Sequence, residues 1–170
     1  MSPATIFQIH LALGYVPWLL LLGAYVFPRL GQMDRFEVQR AIAVLHSFRF
    51  FGLVFIMPGV VGASLPGGFA SFAAYGDFAT GVLAMLALLA APVRPLFWAL
   101  VVAFNLVGAA DIIIDYIHGV VIDLPSHAGE LGATYAIPVI YVPLLMITHV
   151  VALALLLRRQ SRPATTQRAA

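Results

Sequence analysis

Five apolar runs, each long enough to cross a hydrocarbon layer, dominate this 170-residue chain and leave it essentially one architecture. A bilayer core of ~30 Å is spanned by about 20 apolar residues in an α-helix. The runs cover residues 5–27, 41–63, 72–91, 96–117 and 134–157. They show no apolar/polar alternation, and a lipid-facing backbone has to close its hydrogen bonds internally, so barrel strands are not expected. With 62% hydrophobic and 9% charged residues, the chain has more apolar surface than a soluble core of this size can hide. The expected fold is therefore all-α: a polytopic membrane protein built as one five-transmembrane-helix bundle over residues 1–157. A disordered basic tail is expected over 158–170.

The first run does not read as a cleaved secretory signal. It lacks a basic leading segment, exceeds the length of a signal's apolar stretch, and ends in Phe27-Pro28-Arg29 with no small-residue cleavage site. Orientation follows from the basic residues, all nine of which are arginine. Arg29, Arg35 and Arg40 follow the first run, Arg94 lies between the third and fourth, and Arg158, Arg159, Arg162 and Arg168 close the chain. An odd number of spans puts the termini on opposite sides. The positive-inside rule then places the N-terminus outside and the C-terminus in the cytoplasm, in an inner or plasma membrane, with Arg49 alone lying within a span. A net charge of +2 is what a cytoplasmic membrane face carries and does not mark a nucleic-acid partner. The expected partners are the lipid bilayer and either other membrane subunits or further copies of the chain.

Absent residue types narrow the chemistry. Without cysteine there is no dithiol exchange, iron–sulfur ligation or thiolate metal site; without lysine there is no Schiff base to retinal or pyridoxal. Pro92-Val93-Arg94-Pro95 is a tight turn that makes the third and fourth helices antiparallel neighbours. The uncharged segment 64–71 suits the membrane interface, and segment 118–132 carries Asp123, His127 and Glu130. Pro17, Pro58, Pro138 and Pro143 each remove a helical hydrogen bond, which membrane helices tolerate or use to open space. Gly14, Gly52, Gly76 and Gly108 suit close helix contacts.

Function then rests on the ionisable residues inside the spans, each costly there and each a candidate site. In the run GAADIIIDYIH, Asp111, Asp115 and His118 fall on one stripe of a helix. Two carboxylates one turn apart repel unless a cation, a proton or a metal joins them. Together with His10 and Asp77 they outline an outward-facing pocket expected to bind a divalent metal ion or a small polar ligand. The competing reading makes Asp115 and His118 wetted headgroup-zone residues.

A second cluster lies deeper. His46 and His149, on the second and fifth helices, match in depth to about one turn and suggest axial ligands of one haem b, with Arg49 beside a propionate. Arg49 is too deep to reach the surface freely, and Asp111 is its expected partner in a buried ion pair, with Asn105 between them. A third alternative is a non-catalytic accessory subunit whose polar residues lock helices together. A proton-linked carrier stays open as well, since Asp and His at two depths could relay protons, although no continuous row connects them in the sequence. No residue is singled out as catalytic.

Overall fold

The computed structural model describes residues 1–158; the tail from 159 onward, read above as disordered and basic, lies outside the described residues. Among the described residues all regular structure is helical, and five segments are long and apolar enough to cross a membrane. They contain the helices α1 (Pro3–Tyr25), α2 (Arg35–Ser47), α3 (Gly67–Leu89), α4 (Arg94–Val121) and α5 (Val142–Leu157).

Local chemistry sets several boundaries. Ser2 caps α1 by accepting from the Thr5 N–H at 3.1 Å. Asp34 caps α2, its Oδ1 accepting from the N–H groups of Phe36 at 2.9 Å and Glu37 at 3.2 Å. Pro95 stands in the first turn of α4, where its missing N–H costs nothing. The second span therefore starts at Arg35 rather than near residue 41, and it ends at Ile56 rather than 63. Its last part, Phe48–Ile56, is a 3-10 helix of nine residues, so Pro58 falls beyond the helix instead of kinking it. The segment before α5 is also irregular. A 3-10 stretch, Leu124–Tyr135, runs into a π-helical turn, Ile137–Tyr141, that holds Pro138; Pro143 sits in the first turn of α5.

α2 with its 3-10 extension packs on α3, α3 on α4, α4 on α5, and α5 back on α2, which closes a ring of four helices. α1 lies outside the ring, against α5, the π turn and the 3-10 stretch, and buries a single residue, Phe7. Its close approach needs Gly14, since a Cβ there would collide with the Val139 carbonyl oxygen.

Two apolar clusters fill the ring. One, at the end bearing Leu124–Tyr135, gathers Phe7, Phe55, Phe69, Ala73, Leu124 and Leu131. The other gathers Phe36, Ile42, Phe97, Val101, Phe104 and Leu155. At this second end the arginines meet: Arg35 donates to the carbonyls of Leu155 and Arg158, and Arg94 stacks 3.3 Å over the Phe36 ring. Between the two clusters lies a layer of buried polar side chains, namely Arg49, Asp77, Asn105, Asp111, His46 and His149.

Candidate functional site

Every helix of the ring contributes to the polar layer. Arg49 enters from the 3-10 segment and is 1% exposed, among the least accessible side chains of its size. Its Nε donates to Asp77 Oδ1 on α3 at 2.6 Å, and its Nη2 donates to Asp111 Oδ2 on α4 at 2.5 Å. Nη1 donates to the Gly108 carbonyl and to His149 Nε2 on α5, both at 3.2 Å. Four of the five guanidinium N–H groups thus have partners, which is what allows the charge to stay buried, because each N–H that lacks a partner there costs free energy.

Helix geometry explains the meeting. Asp77 lies ten residues into α3 from Gly67, and Asp111 ten residues short of Val121, so both sit about 15 Å from the same end of the bundle. Arg49 lies seven residues before Ile56, about 14 Å at the longer 3-10 rise. Glycines make the room: a Cβ on Gly52 would strike Asp77, one on Gly76 would strike the Asp111 carboxylate, and one on Gly108 would meet His149, Arg49 and Thr80.

The histidines continue the network. Because Arg49 has only donors, His149 Nε2 accepts, and its Nδ1 donates to Asn105 Oδ1 at 2.9 Å. Asn105 is held in that sense by its own amide, which donates to the Val101 carbonyl at 2.8 Å. His46 stacks on His149 with ring centroids 4.0 Å apart and planes at 43°. Its Nε2 meets Thr148 Oγ1 at 3.0 Å; that hydroxyl is within donating distance of the Leu144 and Leu145 carbonyls, so His46 Nε2 is the donor.

This geometry does not fit haem b between His46 and His149. The two rings touch each other directly, which leaves no space for a macrocycle, and both Nε2 atoms are engaged by protein. Asn105 does not bridge Arg49 to Asp111 either, since the two are in direct contact and Asn105 serves His149.

Above Arg49, toward the end bearing Leu124–Tyr135, opens a cavity of about 250 Å³. Its floor is Arg49 and Asp77, and its walls are largely apolar, with Phe7, Phe55, Phe69, Ile112 and Pro138 among them. Asp115 and Gln8 add polar groups to the wall, and Asp123 lies with Val120 where the chain leaves α4. Asp115 Oδ1 is buried with no hydrogen-bond partner.

Of the five residues expected to form one pocket, Asp77 and Asp115 line this cavity. Asp111 joins them one step away through Arg49. His10 and His118 do not line it. His10 is carried by α1, outside the ring, where its Nδ1 meets the Tyr135 hydroxyl at 2.9 Å; His118 packs edge-on against Phe72 with centroids 4.9 Å apart. Among the described residues no group of three or more His, Cys, Asp or Glu side chains is arranged to hold a metal ion. The cause is visible, because Arg49 occupies the space between the two carboxylates that a metal would have needed. Sequence reasoning missed Asp77 as a partner of Arg49, and Gln8 and the aromatic walls as cavity residues. The three glycines around the cluster were its available signal.

Residues 6–157 match the family described as Domain of unknown function (DUF8737), and the chain belongs to that family. No curated protein and no solved structure matches it.

Proposed function

We propose that this protein crosses an inner or plasma membrane five times, with its N-terminus outside, and that its cavity binds a small organic cation or amine with an apolar body. One observation carries the ligand reading. Asp115 presents a buried, unpartnered carboxylate oxygen to an otherwise apolar chamber, beside a cluster in which a single guanidinium already faces two other carboxylates. Three acidic side chains against one basic group favour a positively charged or hydrogen-bond-donating guest. The volume lies just below the ~300–1,000 Å³ of pockets for drug-sized molecules, so the guest is small. Engagement of Asp77 and Asp111 by Arg49 favours an organic guest over a divalent metal ion.

The reading is tested by thermal unfolding of the detergent-purified protein with benzyltrimethylammonium and phenethylammonium as probes. A probe at a hundred times its dissociation constant adds about 2.7 kcal/mol of stability. The expected result is a rise in midpoint that disappears in Asp115→Asn. An equal rise with the uncharged carbon isostere neopentylbenzene would refute a cation site, and a rise with zinc or magnesium chloride alone would restore the metal reading.

Orientation rests on the end of the bundle where Arg35, Arg94 and Arg158 gather, opposite the cavity. A reporter that folds only in the cytoplasm should be active when fused after Ala170. Activity only from an exported reporter at that position would reverse the topology.

A further inference from the structure

The polar layer does not end at the cavity floor. Six buried side-chain nitrogen and oxygen atoms among the described residues lack a hydrogen-bond partner: Arg35 Nε, Gln39 Oε1, His46 Nδ1, Asp111 Oδ1, Asp115 Oδ1 and His118 Nδ1. They fall on two helix stripes. Positions 35, 39 and 46 share one face of α2, and positions 111, 115 and 118 share one face of α4. The α2 stripe runs from the arginine end to mid-bundle, and the α4 stripe runs from mid-bundle to the end bearing the cavity. Between them stand Arg49 and His149, each hydrogen-bonded or stacked to the next: Asp111 to Arg49 at 2.5 Å, Arg49 to His149 at 3.2 Å, His149 to His46 in ring contact.

Gln39, His46 and Asp111 are almost wholly enclosed, and each leaves an acceptor unused. Gln39 spends its amide on the Ala152 carbonyl at 2.9 Å, so Oε1 is the free atom; His46 donates from Nε2, so Nδ1 is a bare lone pair. Acceptors in series are satisfied by something that donates, and buried polar groups without protein partners ordinarily hold water. Gln39 and His46 are seven residues apart, about 10 Å along α2, the length of roughly three hydrogen-bonded waters.

We propose that this seam is a water-filled proton path in two halves, one reaching Asp111 through Asp115 from the cavity, the other reaching His46 through Gln39 from the arginine end. The halves meet at Arg49, whose fixed positive charge, paired with Asp77 on α3 and Asp111 on α4 and facing His149 on α5, separates them. Protons move along each half by exchange between water, carboxylate and imidazole, with no net chemical change in the protein. The path shares the cavity with the ligand site but stands without it.

The chain's lack of cysteine makes a direct test simple. Single replacements Gln39→Cys, His46→Cys and Asp115→Cys, reconstituted in liposomes, are exposed to a charged methanethiosulfonate reagent, which reacts with thiolate and so needs water at the site. Ala84→Cys and Ala87→Cys, in the packed apolar cluster of the arginine end, serve as controls. The seam positions should react about tenfold faster than the controls, positions 39 and 46 from one side of the membrane and 115 from the other. Rates equal to the controls at 39 and 46 would overturn the proposal. Proton uptake driven by a valinomycin-set potassium potential supplies the second readout. Arg49→Gln with Asp77→Asn removes the charged separator while keeping hydrogen-bonding side chains and the Asp111 carboxylate of the path. That double variant should take up protons about tenfold faster than wild type, and adding His46→Leu should return it to the rate of empty liposomes. A monodisperse, helical double variant that never exceeds empty liposomes would overturn proton conduction even if the cysteines react.

Discussion

Arg49 is the residue on which the interior depends, because among the described residues it is the one cation holding two enclosed carboxylates. Removing it leaves both acids without their partner, which in buried pairs costs about 3–5 kcal/mol. Arg49→Met should therefore lower stability by that order in detergent unfolding. Asp111→Asn keeps an acceptor for Nη2 and should cost less, about 1–3 kcal/mol. A double-mutant cycle over Arg49 and Asp111 should return a coupling of at least about 1 kcal/mol, as residues in one network do. Gly76→Ala should cost about 1–3 kcal/mol through overpacking, since the added methyl occupies the place of the Asp111 carboxylate. Asp111 was named as Arg49's partner by residue counting, although with Asn105 expected between them where the two are in direct contact. Asp77 was not, because counting started the third helix near residue 72; with the start at Gly67 its depth becomes that of Arg49.

Two irregular elements flank the cavity, and both matter to it. The nine-residue 3-10 helix Phe48–Ile56 is longer than the three or four residues usual for that form, and it carries Arg49 and the wall residue Phe55. The π turn Ile137–Tyr141 supplies Ile137 and Pro138 to the opposite wall. Hydropathy marked both segments as helical without distinguishing their pitch, since apolar content does not report rise per residue. The α2 cap was equally hidden: Asp34 reads as a charged loop residue until its carboxylate is seen across two backbone N–H groups. Asp34→Ala should destabilise the protein by about 1 kcal/mol, measured by thermal unfolding, whereas Asp34→Ser should recover most of that loss.

At the scale of the molecule, a four-helix ring with two apolar clusters and a polar layer between them carries a fifth helix on its outside. The outward face of α1 should be tolerant of change. Leu20→Ala, at a position 69% exposed, should alter stability by no more than about 0.5 kcal/mol, whereas Leu131→Ala, wholly buried in the apolar cluster with Phe55 and Phe69, should cost about 2–5 kcal/mol. A strong effect of Leu20→Ala together with a change in oligomeric state would mark the α1 face as a contact between copies. The number of apolar helices and their approximate limits were determined by the sequence itself, because the length of an apolar run and the need to satisfy every backbone hydrogen bond are properties of the chain. So was the set of polar residues too costly to bury without purpose. Which of them meet was decided only by tertiary structure. Pairing depends on helix rotation, on which helices are neighbours and on local pitch, and a change of a few residues at a helix start moves a side chain by several ångströms. That is how Asp77 came to Arg49, how His10 came to lie outside the ring, and how two histidines came to stack on each other.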